Sequence, residues 1–419
     1  MSAFPKLPTL ERLKSSGIPK RLLARTGLVA VQHLLETTGS LFEALIDAGL
    51  PAHQIHVLGK AYSTNDRVAR KLSELGIRVH ETQQPFPWGG YDEHLRLAAT
   101  AMWQSVADWA CPPDIDRLVV LDDGGHATTT VPRELAGRLP IAGVEQTMSG
   151  LHGTDDTSLP IPVVAVASSA AKTIIEPLMI REAVFRRVAG LAGPLAKRSM
   201  GVIGAGNIGQ AIVRGILENA QQVSVYDPEA SRLPHDPRVR VCTTAGELLS
   251  RCEVLWGCSG ADFFDGLELH QVAGATRTLI SCSSSDREFR TLLHQLNDRA
   301  ALDGVSRFAD LDIACDGVRL DIRRGGFPIN FDGSPESVPS SDIQVTRGLL
   351  FAGVMQACAY SADKTTVMLA PEAQRTVVDA WFATRSDRDG RLRPEFVDQF
   401  ADHEWIAQFS GGRRFAAVS

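Results

Sequence analysis

Short apolar runs alternate with amphipathic stretches along most of the chain, the pattern of strands that are each followed by a helix in a parallel sheet. In the first half the runs predict strands at Leu28–Gln32, Gln54–Leu58, Ile77–His80, Leu118–Leu121 and Val163–Ala167. Between them "ETTGSLFEALIDAG" and "STNDRVARKLSELG" carry helical spacing, with Ser63 or Thr64 placed to cap the second helix and Gly76 to end it. A longer helical stretch, "IIEPLMIREAVFRRVAGLAGPL", runs from Ile174 to about Leu195 with Pro177 near its start. A second βα series follows, with strands expected at Gly201–Gly204, Val223–Tyr226, Val239–Cys242, Val254–Cys258 and Thr278–Ser281. "TRGLLFAGVMQACAYSA" reads as one helix, and "ATRSDRDGRLRPEF" as a charged, turn-rich segment before a final short helix. The fold class expected is α/β. Two doubly wound, Rossmann-like domains (1–184 and 185–335) are joined by a connecting helix, and a C-terminal helical appendage (336–419) lies at the periphery.

Composition narrows the class of protein. At 419 residues the chain exceeds the size at which one core stops growing. A net charge of −6 offers no basic patch to neutralise phosphates, so neither nucleic acid nor a membrane surface is an expected partner. The seven cysteines (Cys111, Cys242, Cys252, Cys258, Cys282, Cys315, Cys358) are odd in number and lack metal-ligand spacing. They fit reduced thiols in a cytoplasmic protein, with no disulfide framework and no metal site. The N-terminus "MSAFPKLPTLERLKSSGIPKRLL" lacks the apolar core of a signal peptide, and no run approaches the roughly 20 apolar residues of a membrane span.

The clearest motif is "SMGVIGAGNIGQAIVRGILENAQQVSVYDPEA". Gly204, Gly206 and Gly209 follow a strand and open a helix, with Asn207 and Ile208 between the last two glycines. In this G-x-G-x-x-G pattern the first glycine permits a tight turn, the second lets a pyrophosphate approach the backbone, and the third lets helix and strand close together. The pyrophosphate then sits at the helix N-terminus. Asp227, 18 residues after Gly209, ends the next strand, where a carboxylate binds ribose hydroxyls. No arginine follows immediately, so NAD is favoured over NADP. "WGCSGADFFDG" supplies the next strand-end loop, with Ser259 and Gly260 expected near the cofactor.

The first half carries a second set of turns in a fixed order: "LVVLDDGGHATTT", "GVEQTMSG" and "AVASSAAKTIIEP" precede the nucleotide motif, and "GGFPINFDGSP" and "SDIQVTRGLLFAG" follow it. With "VAVQHLLETTGSLFEALIDAGLP" and "STNDRVARKLSELGI" upstream, this order resembles the adenosylhomocysteinase family over about 350 residues, with no single motif intact. The resemblance implies an enzyme that uses bound NAD to oxidise a nucleoside or sugar secondary alcohol transiently, enabling elimination, hydration or epimerisation at the adjacent carbon. By the same resemblance Lys172 sits beside the oxidised hydroxyl, Asp123 and His33 divide acid and base roles, and Glu176 replaces an aspartate four residues after the lysine. Thr147, Ser149 and Asn330 then reach the nicotinamide, and a homodimer or homotetramer is implied.

The departures lie mainly on the substrate side. Gln146 replaces the second glutamate of a Glu-Glu turn, and a glutamine can orient a hydroxyl but cannot take its proton. Ala167 and Pro177 replace asparagines, Ser283, Ser284 and Ser285 replace Gly-His-Phe, and Ser334 replaces a histidine between Gly333 and Pro335. A substrate altered from S-adenosylhomocysteine is therefore expected. Two other readings compete: an NAD-dependent dehydrogenase that releases NADH, and an NAD-binding partner protein without activity. In "LDDGGH" Asp123 is expected over the substrate carbon with Asp122 structural, while His126 has no assigned role.

Overall fold

A computed structural model describes residues 2–15, 20–82, 85–109, 115–152, 159–189, 198–267, 276–315, 317–360 and 366–384. Its strands in chain order are β1 (Thr26–Gln32), β2 (Ile55–Gly59), β3 (Arg78–His80), β4 (Arg117–Asp122), β5 (Ile141–Glu145), β6 (Val163–Ala165), β7 (Met200–Ile203), β8 (Val223–Tyr226), β9 (Val239–Val241), β10 (Val254–Gly257), β11 (Thr276–Ser281), β12 (Leu311–Cys315), β13 (Val318–Ile322) and β14 (Thr366–Met368). The chain forms two units, one from residues 1–82, 96–176 and 339–419, the other from 83–95 and 177–338.

The first unit is built on a seven-stranded sheet in the order β14-β6-β5-β4-β1-β2-β3. Every pairing in it is parallel. All residues of β1, β2 and β5 are buried, as expected for strands covered on both faces, and this is why they read as unbroken apolar runs. The strand order reverses between β1 and β4, which places a topological switch point beyond their carboxyl ends. Helix Ser340–Ala359 packs on this sheet: a Cβ on Gly353 would lie 2.8 Å from Val166, and one on Gly348 would lie 2.7 Å from Val377 of helix Pro371–Phe382. Its apolar residues, among them Leu349, Leu350, Val354 and Cys358, are buried inside the unit. Residues 339–384, read from the sequence as part of a peripheral appendage, therefore complete the first core through this helix, β14 and helix Pro371–Phe382. The final short helix expected beyond them lies outside the described residues.

The second unit has the order β12-β13-β11-β10-β7-β8-β9, parallel except for the β12–β13 hairpin. One face of its sheet buries Leu248, Leu249, Phe289 and Leu292, and the other buries Ile212, Ile216, Val184 and Trp256, on which Phe185 stacks. Its switch point lies between β7 and β10. Two doubly wound, Rossmann-like sheets are thus present, as the hydrophobic pattern predicts.

Local details depart from the sequence reading. The second helix, Asp66–Glu74, is capped by Asn65, whose side-chain oxygen accepts from Arg67 N and Val68 N, and not by Ser63 or Thr64. Ser63 instead lies in a short 3-10 turn and faces His33. Gly76 does end this helix, at φ +89°. The connecting helix spans Ala170–Ala189, so Pro177 lies in its interior and not near its start; Leu195 lies outside the described residues. Strands β5, β12, β13 and β14 are not among the sequence expectations, because glycine, charged and polar residues interrupt their apolar character. No helix among the described residues is long and apolar enough to cross a membrane.

Candidate active site

The G-x-G-x-x-G turn occupies the switch point of the second unit, directly after β7. Gly204 has φ +87°, and a Cβ there would lie 2.6 Å from Ser259 N; a Cβ on Gly209 would lie 1.8 Å from Gly204 O. Both positions are glycine because the turn and the strand-helix contact leave no room. Gly206 differs, since a Cβ there would meet no protein atom within 4 Å. Its missing side chain answers no packing need of the protein and leaves open space in front of helix Asn207–Leu217. Gly206 is the N-cap of that helix and no side chain caps it, so the N–H groups of the first turn remain for a ligand. Asp227 ties the loop down: one carboxylate oxygen accepts from Ala205 N (2.6 Å) and the other from Glu229 N (2.8 Å). Each oxygen keeps a further lone pair for a ribose hydroxyl. These features fit a dinucleotide.

Ser259 and Gly260 follow β10, held by a residue that the sequence does not single out. Glu288 is fully buried and accepts from Gly260 N (2.6 Å), Ser259 Oγ (2.9 Å) and Ser283 Oγ. One carboxyl thereby staples the loops after β10 and β11. Burial pushes its pKa up to about 7, although these donors pull the other way. The glutamate looks like an ordinary polar turn residue in "SSSDREF"; only the approach of two strand ends gives it this role. Asn330 is buried just after the β13 turn, where Ile329 N donates to Ser281 O.

In the first unit the strand ends converge on Asp123. His33 follows β1, Lys60 follows β2, Asp123 follows β4 and Gln146 follows β5. Asp123 Oδ1 is paired with Lys60 Nζ, while Oδ2 lies 3.2 Å from His33 Nε2 and 2.5 Å from Gln146 Nε2. All four residues are buried. Burial opposes ionisation of Asp123, but the Lys60 ammonium and His33 overcome it and hold the carboxyl well below the usual carboxylate range. Burial also pushes His33 below the ordinary histidine value; Asp123 pulls it up, while Lys60 and Arg347 push it down. His33 Nδ1 lies 2.5 Å from Ser63 Oγ. His33, Asp123 and Gln146, named together by the resemblance, are neighbours in the structure; the sequence does not single out Lys60. The signal available for it was a lysine placed one residue beyond the apolar run "IHVLG".

Around this cluster stands a structural frame. Asp122 accepts from Asp123 N (2.9 Å) and Thr128 N (2.7 Å). Glu145 accepts from Gly124 N (3.1 Å), Gly125 N (2.9 Å), Thr147 N (2.7 Å) and Thr147 Oγ1 (2.8 Å). Burial and the neighbouring Asp122 push Glu145 up to about 8. Thr147 and Ser149, assigned by resemblance to the nicotinamide, are joined to each other (3.2 Å) and through Thr147 to Glu145, and both belong to the first unit. Lys172 pairs with Glu176 one helical turn on, as the i,i+4 spacing predicts. The cation that touches Asp123 is therefore Lys60.

No family model matches the chain. Two uncharacterized proteins of Mycobacterium tuberculosis are each 30% identical to it over 349 residues, covering 80% of this chain and 65% of theirs. The chain thus spans 65% of the length of these curated relatives. Similar solved structures include a dipicolinate synthase component from Bacillus halodurans (12% identity, 81% of this chain and 100% of that one, TM-score 0.44). They also include an NAD-dependent formate dehydrogenase from Staphylococcus aureus in complex with NAD (14%, 81% and 98%, 0.40). A D-isomer specific 2-hydroxyacid dehydrogenase family protein from Aeromonas salmonicida is similar as well (13%, 82% and 98%, 0.42). Likeness at this level concerns the fold alone. The neighbours are dehydrogenases and a dipicolinate synthase component, not adenosylhomocysteinases. The expected membership of the adenosylhomocysteinase family, and the hydrolase or lyase activity that came with it, is corrected accordingly: the shared order of turns reflects doubly wound strand ends, with no family motif intact.

Proposed function

We propose that the protein is an NAD-dependent dehydrogenase that oxidises a secondary hydroxyl of a small molecule and releases NADH. The observation that carries this reading is the open space at Gly206 in front of an uncapped helix N-terminus, at a switch point where Asp227 stands ready for a ribose. Gly204, Gly206, Asn207, Ile208, Gly209 and Asp227 hold the dinucleotide. Ser259 and Gly260, fixed by Glu288, border it, and Asn330 lies in the same unit. When bound, NAD⁺ accepts a hydride from the alcohol carbon.

The Asp123 cluster of the first unit supplies the acid-base chemistry. Asp123 is too acidic to take a proton at neutral pH, so it acts as an anchor for His33 and Gln146. His33, kept neutral by burial, is the group with a lone pair for a proton. Lys60 neutralises the buried carboxylate, and the Lys172–Glu176 pair offers a second polar contact on the same unit. Support for oxidation over hydrolysis comes also from Gln146, which orients but cannot titrate.

The test is direct. Titration with NADH, followed by its fluorescence, should show saturable binding. Incubation with NAD⁺ and panels of hydroxy acids, polyols and nucleosides should then raise absorbance at 340 nm by about one NADH per substrate consumed. Absence of dinucleotide binding would refute the whole reading. Binding without net NADH from any hydroxylated compound would refute the dehydrogenase and leave a dinucleotide-binding protein.

A further inference from the structure

Asp123 is ionised and offers only acceptors to the groups around it. Lys60 Nζ and Gln146 Nε2 both donate to it, and His33 Nε2, at 3.2 Å, must also present an N–H. In a neutral imidazole the other nitrogen is then an acceptor. That nitrogen, Nδ1, lies 2.5 Å from Ser63 Oγ, so the serine hydroxyl donates to it. The competing acceptor for the same proton, Lys60 O, is more distant at 3.3 Å. Ser63 Oγ keeps lone pairs with which to receive another hydroxyl. A second feature points to a ligand at this place: Gln146 Oε1 is buried and has no hydrogen-bond partner among the described residues, although its amide nitrogen is engaged by Asp123. A buried acceptor left unmade is costly, and a donor on a bound molecule removes that cost.

We infer that Ser63 relays the proton of the substrate hydroxyl to His33, and that the substrate carries a second donor, a neighbouring hydroxyl or amino group, for Gln146. This rests on the dehydrogenase reading. In the step, the substrate O–H bond breaks and its proton passes to Ser63 Oγ, while the serine's own proton passes to His33 Nδ1. The carbinol C–H bond breaks with its electron pair, the hydride is taken by NAD⁺, and a C=O bond forms. The alcohol is oxidised, NAD⁺ is reduced to NADH, and one proton rests on His33 opposite Asp123 before leaving to water. His33 meets Asp123, Lys60 and Arg347 among its charged neighbours, and it must be neutral to start the relay.

The experiment compares wild type with Ser63→Ala and Ser63→Thr. Ser63→Ala should lower kcat by about 100-fold with KM changed less than about threefold, the scale of a lost acid-base step. The acid limb of its pH profile should vanish, because the residual rate no longer runs through His33. Ser63→Thr restores the hydroxyl and should recover most of the rate. NADH affinity should be unchanged in both, while Ser63→Ala, which leaves the buried His33 Nδ1 without its donor, should lower the thermal midpoint and Ser63→Thr should restore most of it. Independently of turnover, imidazole ¹⁵N spectra should show a neutral His33 protonated on Nε2, with an Nδ1 resonance that moves in Ser63→Ala. Wild-type kcat and an unaltered pH profile in Ser63→Ala, or a His33 protonated on Nδ1, would overturn the relay alone. A wild type that binds NADH but oxidises no hydroxylated compound would overturn the dehydrogenase reading and the relay with it.

Discussion

Replacing Gly206 by alanine separates the demands of the fold from those of the ligand. The backbone there has φ −67° and ψ −171°, an extended conformation open to any residue. The added Cβ meets nothing within 4 Å. Two small effects oppose each other: alanine is a poorer N-cap than glycine by up to about 1 kcal/mol, and loss of glycine's freedom in the unfolded chain stabilises by about 0.4–1 kcal/mol. The net change in stability should lie within about 0.5 kcal/mol, a shift of the thermal midpoint of no more than about 2 °C. The bound dinucleotide meets a different situation. The methyl group fills the space through which the pyrophosphate reaches the N–H groups of helix Asn207–Leu217, and loss of one charge-assisted hydrogen bond costs about 1.5–3 kcal/mol. At about 1.4 kcal/mol per factor of ten, NADH affinity should fall by roughly 10- to 150-fold. Gly209→Ala is the contrasting control, since its Cβ would lie 1.8 Å from Gly204 O and must disrupt the turn itself. Circular dichroism melts without ligand, paired with NADH titrations, read both quantities. Wild-type NADH affinity in Gly206→Ala would refute the placement of the pyrophosphate, and a large loss of stability would refute the open space.

Other outcomes can be checked with similar means. Lys60→Met strands the Asp123 charge and should destabilise the protein by about 3–5 kcal/mol, as breaking a buried pair does; adding Asp123→Asn should recover part of that loss, seen in urea melts. Glu288→Ala should release the Ser259–Gly260 loop and weaken NADH binding several-fold, while Glu288→Gln keeps most of the affinity. For Glu288 the folded pKa is raised from 4.5 to about 7, so the folded state holds the extra proton between those values. Its contribution is complete below pH 4.5 and is lost as pH rises through about 7. Glu288→Gln should therefore gain on wild type in unfolding free energy between pH 5 and pH 8, by at most about 3 kcal/mol, read from melts at each pH. A constant difference across that range would show that the carboxyl is ionised throughout. For His33, lowered in the folded state, the sign is opposite: its contribution is intact above pH 6.5 and lost as pH falls below it. His33→Gln should flatten that acid-side loss in the same melts.

The sequence by itself determined the two doubly wound sheets, because strands buried on both faces must be written as apolar runs and the helices between them as amphipathic ones. It also determined the dinucleotide turn, since Gly204 and Gly209 have no substitute where a Cβ would collide with Ser259 N and Gly204 O. Resemblance in the order of turns named His33, Asp123 and Gln146 together; that each directly follows a strand, Gln146 after the unexpected β5, is a finding of the structure. Only the tertiary structure decided which cation faces Asp123. Lys60 and Lys172 are alike in the sequence, and the crossing from β2 to β1 and β4 brings the first to the carboxylate while helical spacing gives the second to Glu176. Glu288 and Ser63 were hidden for the same reason. A carboxylate that staples two loops and a hydroxyl that faces an imidazole are defined by partners about 30 residues away. Strand β14 and helix Ser340–Ala359 complete the first core from the far end of the chain, and no local pattern reports which sheet a distant apolar helix will cover.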